Sequence, residues 1–170
     1  MPTGPVKYLL DSNVFMEAHR RYYAFDLCPG FWVSLPQHHA AGRILSIDKV
    51  RDEMRTGDQL DQWVEQNAPA GLFADTQDAA VTTEFQAMMR WVQGNAQFLP
   101  AAKSEFAAVA DGWLAAYAKA FGFTVVTLEV HRPEQKNRVP LPNVCLQFGV
   151  PVADTFTMLR DLGTRFVLGA

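Results

Sequence analysis

Apolar residues along this chain fall into short unbroken runs, alternating with stretches in which they recur every three or four positions. Residues 6–10 form such a run, which stops at Asp11-Ser12-Asn13, residue types that favour turns and helix caps over continued strand. The run predicts a buried first strand with polar groups at its carboxyl end. Pro29, Gly30 and Pro36 predict a less regular region, after which apolar residues 44–47 lead into a helical pattern from Asp48 with Val50 and Met54 on one face. Gly57-Asp58 breaks that pattern, and Leu60, Trp63 and Val64 predict a second short helix before a turn at Pro69-Ala70-Gly71. From Asp78, the positions Val81, Phe85, Met88 and Val92 make one stripe of an amphipathic helix. Trp113, Tyr117 and Ala120 mark another, with Asp111 at its N-cap and Gly122 as its stop. Residues 123–128, ending at Glu129, carry the strongest strand signal because they are rich in β-branched side chains. A polar, proline-punctuated loop over residues 131–142 then leads to a short helix, a second helix around 154–161 and a last strand near 166–168.

Apolar strands separated by helical patterns imply parallel strands with helical crossovers and both sheet faces covered. The fold class expected is therefore a three-layer α/β/α domain around a mainly parallel sheet, one domain over residues 1–170. In such sheets the ligand crevice lies outside the carboxyl ends of the strands, which places Asp11 and Glu129 at the rim where sites form. The composition, 49% hydrophobic and 19% charged, is that of a globular chain. With no basic leader followed by a long apolar segment, and no apolar run long enough to span a bilayer, a cytoplasmic protein without a membrane partner is expected. Cys28 and Cys145 show no CxxC spacing and are read as free thiols without a redox role.

A net charge of −3 excludes a surface that is basic overall, so any polyanion must meet a local patch. The candidates are His19-Arg20-Arg21, then Arg51 with Arg55, then His131, Arg132, Lys136 and Arg138. Phe15, Tyr22 or Tyr23 near the mouth of the crevice are candidates for stacking on a base. GxGxxG and P-loop patterns are absent, which argues against nucleotide cofactors. His38-His39 are adjacent rather than spaced to share a helix face, so they make no zinc pattern.

What remains is a set of acids. Two strands each deliver a carboxylate at the carboxyl end, Asp11 and Glu129, and a helix start delivers Asp111. Carboxylates converging in one pocket repel one another unless a cation neutralises them, and hard oxygen ligands of this kind suit Mg²⁺ or Mn²⁺.

The segment from Tyr8 to Phe15, Tyr-Leu-Leu-Asp-Ser-Asn-Val-Phe, resembles the first strand and catalytic-aspartate motif of PIN domains. Ile47-Asp-Lys-Val-Arg-Asp-Glu-Met54 resembles the helix that supplies their next acid, here Glu53, with Asp48 and Asp52 as alternatives. Val109-Ala-Asp-Gly-Trp-Leu-Ala-Ala-Tyr-Ala118 resembles the helix opened by the third acid, Asp111. Val125-Val-Thr-Leu-Glu129 resembles the strand ending in Thr-x-Asp, with Glu in the place of the fourth acid. The order and spacing also agree: 42 residues from Asp11 to Glu53, 58 more to Asp111 and 18 more to Glu129.

The resemblance, closest to small prokaryotic PIN-like proteins related to the toxin nucleases of VapBC-type toxin–antitoxin pairs, implies a metal-dependent endonuclease. Its expected substrate is RNA, with DNA as a further option, and its products carry a 5′-phosphate and a 3′-hydroxyl. Asp11, Glu53, Asp111 and Glu129 are then both the catalytic residues and the ligands of Mg²⁺ or Mn²⁺. Ser12 and Asn13 fix Asp11 by hydrogen bonds, Arg132, Lys136 and Arg138 meet the substrate phosphates, and Asp154 is a further site candidate. A homodimer and an antitoxin or other regulatory protein are the expected partners. Two other readings compete. Aspartate-nucleophile phosphatases also begin with a strand ending in Asp, but they require a second Asp where this chain has Asn13. A PIN-like scaffold that binds a partner without catalysis would share the fold.

Overall fold

The two runs that end at Asp11 and Glu129 form neighbouring strands in the middle of one sheet. The structure, a computed structural model, describes residues 4–169. In chain order its elements are β1 (Tyr8–Leu10), α1 (Ser12–Glu17) continued by a π-helical turn (Ala18–Tyr22), α2 (Pro29–Ala40), β2 (Ile44–Ile47), α3 (Asp48–Glu53), α4 (Gln59–Gln66) and β3 (Phe73–Ala74). They continue with α5 (Ala79–Gly94), α6 (Pro100–Ala108), α7 (Asp111–Phe121), β4 (Thr124–Val126), α8 (Leu141–Gln147), β5 (Val152–Ala153) and α9 (Thr155–Asp161). Every strand pairing is parallel, in the order β3-β2-β1-β4-β5. Helices flank the sheet in a three-layer α/β/α arrangement.

The strand sequences follow from this layering. Leu9, Leu10, Val125 and Val126 are fully buried, because a central parallel strand is covered on both faces and has no polar side to alternate with. From β1 the chain winds to β2 and β3 on one side, whereas β4 and β5 lie on the other. The winding therefore reverses between β1 and β4, and the crevice opens at their carboxyl ends. Leu10 is in register with Val126, and the Asp11 amide donates to the Val126 carbonyl at 3.0 Å. This last bond extends the ladder one residue beyond β1 and fixes where Asp11 stands.

Several expectations needed correction. The region carrying Pro29, Gly30 and Pro36 is the helix α2, with Pro29 in its first turn, where a missing N–H costs nothing. Pro36 is accommodated inside it. The edge strands β3 and β5 and the helix α6 were not expected, and no strand forms at residues 166–168, where Val167 and Leu168 are exposed. Gly122 does end α7, with a left-handed φ of 73° that glycine adopts without a Cβ clash. No helix among the described residues is long and apolar enough to cross a membrane.

Candidate active site

At the carboxyl ends of β1 and β4 lies a cavity of about 340 Å³ into which five carboxylates face: Asp11, Glu53, Glu105, Asp111 and Glu129. Four were expected from the sequence. The fifth, Glu105, is exposed on α6, a helix that the apolar pattern did not reveal. Phe106 of the same helix and Val139 form part of the apolar wall.

Asp11 caps α1 and is held from several directions. Its Oδ1 accepts the Ser12 amide at 2.7 Å and, more loosely, the Ser12 hydroxyl at 3.5 Å, while Oδ2 accepts the Thr127 hydroxyl at 2.8 Å. Thr127 had no assigned role, yet its hydroxyl is fully specified. The Asn13 side-chain amide (3.0 Å) and the Glu129 backbone amide (3.2 Å) both donate to Oγ1, so the single hydroxyl proton is left for Asp11. Asn13 accordingly acts on Asp11 through Thr127 and not by direct contact, and its own Oδ1 accepts the Leu128 amide at 3.1 Å. Ser12, Asn13 and Thr127 thus tie the end of β1 to the end of β4 around one carboxylate.

Asp111 is placed differently. It is the first residue of α7, and the cap position itself belongs to Ala110, which corrects the expected N-cap role. Its side chain is buried, at 9% exposure, and among the described residues its carboxylate accepts no hydrogen bond. The start of α7 is pressed against its neighbours: a Cβ on Gly112 would lie 2.9 Å from Met89 Cε and 3.0 Å from the Phe85 ring. Phe85 in turn stacks on Trp113 with ring centroids 3.8 Å apart. Glu53, at the end of α3, accepts the Ala110 amide at 2.9 Å and so pins the α7 entry to the α3 end.

Burial and like charges raise the proton affinity of both aspartates. Asp11 is pushed up to about 6, mainly by burial, with the charges of Glu129 and Glu53 adding to it and the Thr127 and Ser12 hydrogen bonds opposing it. Asp111 is pushed up to about 8 by burial and then by Asp11, Glu129 and Glu53, with only the Arg138 charge acting the other way. The buried Cys145 thiol also feels this field. Burial first, and then the charges of Asp111 and Asp11, raise it to about 12, so it stays a neutral thiol, and both cysteines are free.

The remaining candidates separate by position. Asp48 accepts from Thr76 and from the Lys49 amide, Asp52 faces Arg51 at 3.3 Å, and neither lines the cavity. Asp154 caps α9 through the Thr157 amide at 2.7 Å and borders a separate apolar groove. Arg138 turns inward to pair with Glu129. Arg132 lines a neighbouring cavity, its backbone held by the Asn143 side chain. Lys136 is exposed on the loop and lines neither cavity. Phe15 is buried in the core, Tyr23 stacks on Phe31, and Tyr22 stands exposed against Phe156.

Among the described residues, no three carboxylate, imidazole or thiol groups are gathered closely enough to grip a metal ion. The hydrogen bonds account for this, since Glu53 faces the Ala110 amide while Glu129 is engaged by Arg138 and by the Leu141 amide. The donor chemistry nevertheless fits Mg²⁺ or Mn²⁺: oxygen donors only, one buried carboxylate without a partner, and mutual repulsion that a cation would relieve.

Comparison with known proteins returned no match among curated proteins. A family model does match, over residues 8–166, a span that runs from β1 to beyond α9 and includes all five cavity carboxylates. The chain therefore belongs to the family described as Domain of unknown function (DUF4411).

Proposed function

We propose that this chain is a PIN-like nuclease that hydrolyses phosphodiester bonds in RNA with the help of Mg²⁺ or Mn²⁺. The observation that carries the reading is the pair Asp11 and Asp111. Two buried aspartates from different elements open into one cavity; burial makes both harder to ionise, and the charges of Asp11, Glu129 and Glu53 add to this at Asp111. Asp11 also caps α1, but burying the second carboxylate, Asp111, beside it costs stability that a bound cation would recover.

Asp11 and Asp111 are the primary ligands in this reading. Thr127, Ser12 and, through Thr127, Asn13 hold Asp11 in one orientation, as partners of ligating carboxylates commonly do. Glu53 completes the ligand set by turning from its present hydrogen bond and is also suited to accept a proton from the attacking water, while Glu129 joins it in place once Arg138 gives way. Glu105 stands at the cavity edge as an outer carboxylate. Arg132 and Lys136 lie on the loop beside the cavity, where they can meet phosphates of the substrate strand. When bound, the divalent ion lowers the pKa of a water nucleophile and stabilises charge on the leaving oxygen. A toxin-like role, with a second copy or an antitoxin as partner, extends the same reading.

The test is cleavage of single-stranded RNA by the purified protein with Mn²⁺ and after thorough chelation. Cleavage that stops with EDTA and returns with Mn²⁺ is the expected result. Cleavage that persists unchanged would refute a metal-dependent mechanism, and metal binding without any cleavage would favour the non-catalytic scaffold.

A further inference from the structure

Among the described residues, one cationic side chain lines the carboxylate cavity, Arg138. Its guanidinium donates to Glu129 Oε1 while the Leu141 amide donates to Oε2 at 3.1 Å, so each oxygen of Glu129 accepts one hydrogen bond. The partners differ in freedom. The Arg138 side chain is 54% exposed on the polar loop and the Glu129 side chain only 17%, so the arginine can leave and the glutamate cannot. Arg138 also lines a second cavity of about 340 Å³, together with Arg132 and Gln135, that shares Leu128 and Glu129 with the first. The guanidinium therefore stands on the wall between an acidic chamber and a basic one.

Five carboxylates around one small volume need a counter-charge, and in the metal-free protein this arginine is the one the cavity contains. A divalent cation that takes an oxygen of Glu129 would lie within a few ångströms of the guanidinium and be repelled by it. The two cations therefore compete for Glu129.

We propose that Arg138 is the resident counter-ion of the metal-free cluster, exchanging with the divalent cation at Glu129 and moving to the Arg132 cavity when the cation binds. Arg138 is then a positioning residue that sets metal affinity, and its phosphate-binding role on the loop becomes available only in the loaded site. The inference rests on the metal-binding reading above.

Mn²⁺ titration by calorimetry, without nucleic acid, tests it. Arg138→Gln should bind Mn²⁺ about five-fold more tightly than wild type, the scale of a partly exposed ion pair. Arg138→Lys, which keeps the charge, should stay near wild type. In a Glu129→Gln background, Arg138→Gln should give little further gain, because the group they compete for is gone. Equal or weaker Mn²⁺ binding by Arg138→Gln would overturn the exchange and make the arginine a prop for Glu129. If wild type itself bound no Mn²⁺ in an Asp11-dependent way, the metal reading would fail first and the exchange with it.

Discussion

On the sheet side of the cavity, Asp11 is locked. It sits at the end of a strand, caps a helix and accepts hydrogen bonds from Ser12 and Thr127. On the helical side, Asp111 is nearly as buried, yet its carboxylate has no such partner among the described residues. Their proton affinities record the difference, raised to about 6 for Asp11 and to about 8 for Asp111. Hydrogen bonds offset part of the cost of burying the first charge, whereas the second is opposed only by the Arg138 charge. One side of the site is thus organised in advance, and the other holds a buried carboxylate without such partners. In the proposed metal-dependent reading, Asp111 is the group with most to gain from a cation.

The largest expected effect is on chemistry. Asp11→Asn and Asp111→Asn should each lower RNA cleavage by more than about a hundredfold, beyond the 10- to 100-fold typical for partners of metal ligands. Asp75→Asn should leave it unchanged, since among the described residues Asp75 accepts only from the Gln77 amide nearby and lies outside the cavity. Single-turnover rates that fall equally in all three variants would dissolve the distinction between site and surface acids.

A smaller effect falls on the locked side alone. Thr127→Val removes the hydroxyl that orients Asp11 and should weaken Mn²⁺ binding by about 10- to 100-fold, while Thr127→Ser should preserve it. Mn²⁺ affinity indifferent to both changes would mean that Asp11 needs no orientation.

The smallest effect separates the two aspartates through pH. Both folded-state pKa values lie above the ordinary value of 3.8, so between about pH 4 and pH 8 the folded protein holds more protons than the unfolded chain. Metal-free stability should therefore be highest at the acid end of that window, fall as pH rises through about 6 and 8, and level off above. Asp111→Asn should flatten mainly the upper part of that fall. Melting temperatures that rise over the same window would contradict the raised proton affinities, which burial causes first and like charges add to.

How much of this was legible in the sequence follows from how far each signal depends on distant neighbours. The β1 and β4 runs were readable because strands buried on both faces are apolar throughout, and α5 was readable because Val81, Met88 and Val92 share one buried stripe. Two-residue edge strands such as Phe73–Ala74 and Val152–Ala153 are too short to show any period. Pro36 read as a breaker although α2 tolerates it, and α6 buries only Ala102 and Phe106, too few for a stripe. Phe166, Val167 and Leu168 read as a strand on residue type alone, and among the described residues they pair with no strand. Within the site, the ordered acids Asp11, Glu53, Asp111 and Glu129 do meet in one cavity. Thr127 stood in a quoted motif without a role and Glu105 escaped notice, because a hydroxyl's role depends on what lies across the sheet, and a lone acid's on a helix that was not seen. Arg138 was read as meeting substrate phosphates; its pairing with Glu129 depends on how the loop folds back, which the sequence does not show.

The most direct measurement is thermal melting with and without Mn²⁺ in wild type and Asp111→Asn. An ion that binds only the folded state stabilises it by about 2.7 kcal/mol at a hundredfold excess over Kd, a rise of about 5–10 °C for a domain of this size. Wild type should show that rise. Asp111→Asn, which removes repulsion, should be at least as stable as wild type without metal and should lose most of the Mn²⁺ shift. If the substitution instead lowers metal-free stability by more than about 1 kcal/mol, the size of a lost structural contact at a helix start, and the Mn²⁺ shift survives intact, Asp111 is a structural residue and the cavity is not a metal site.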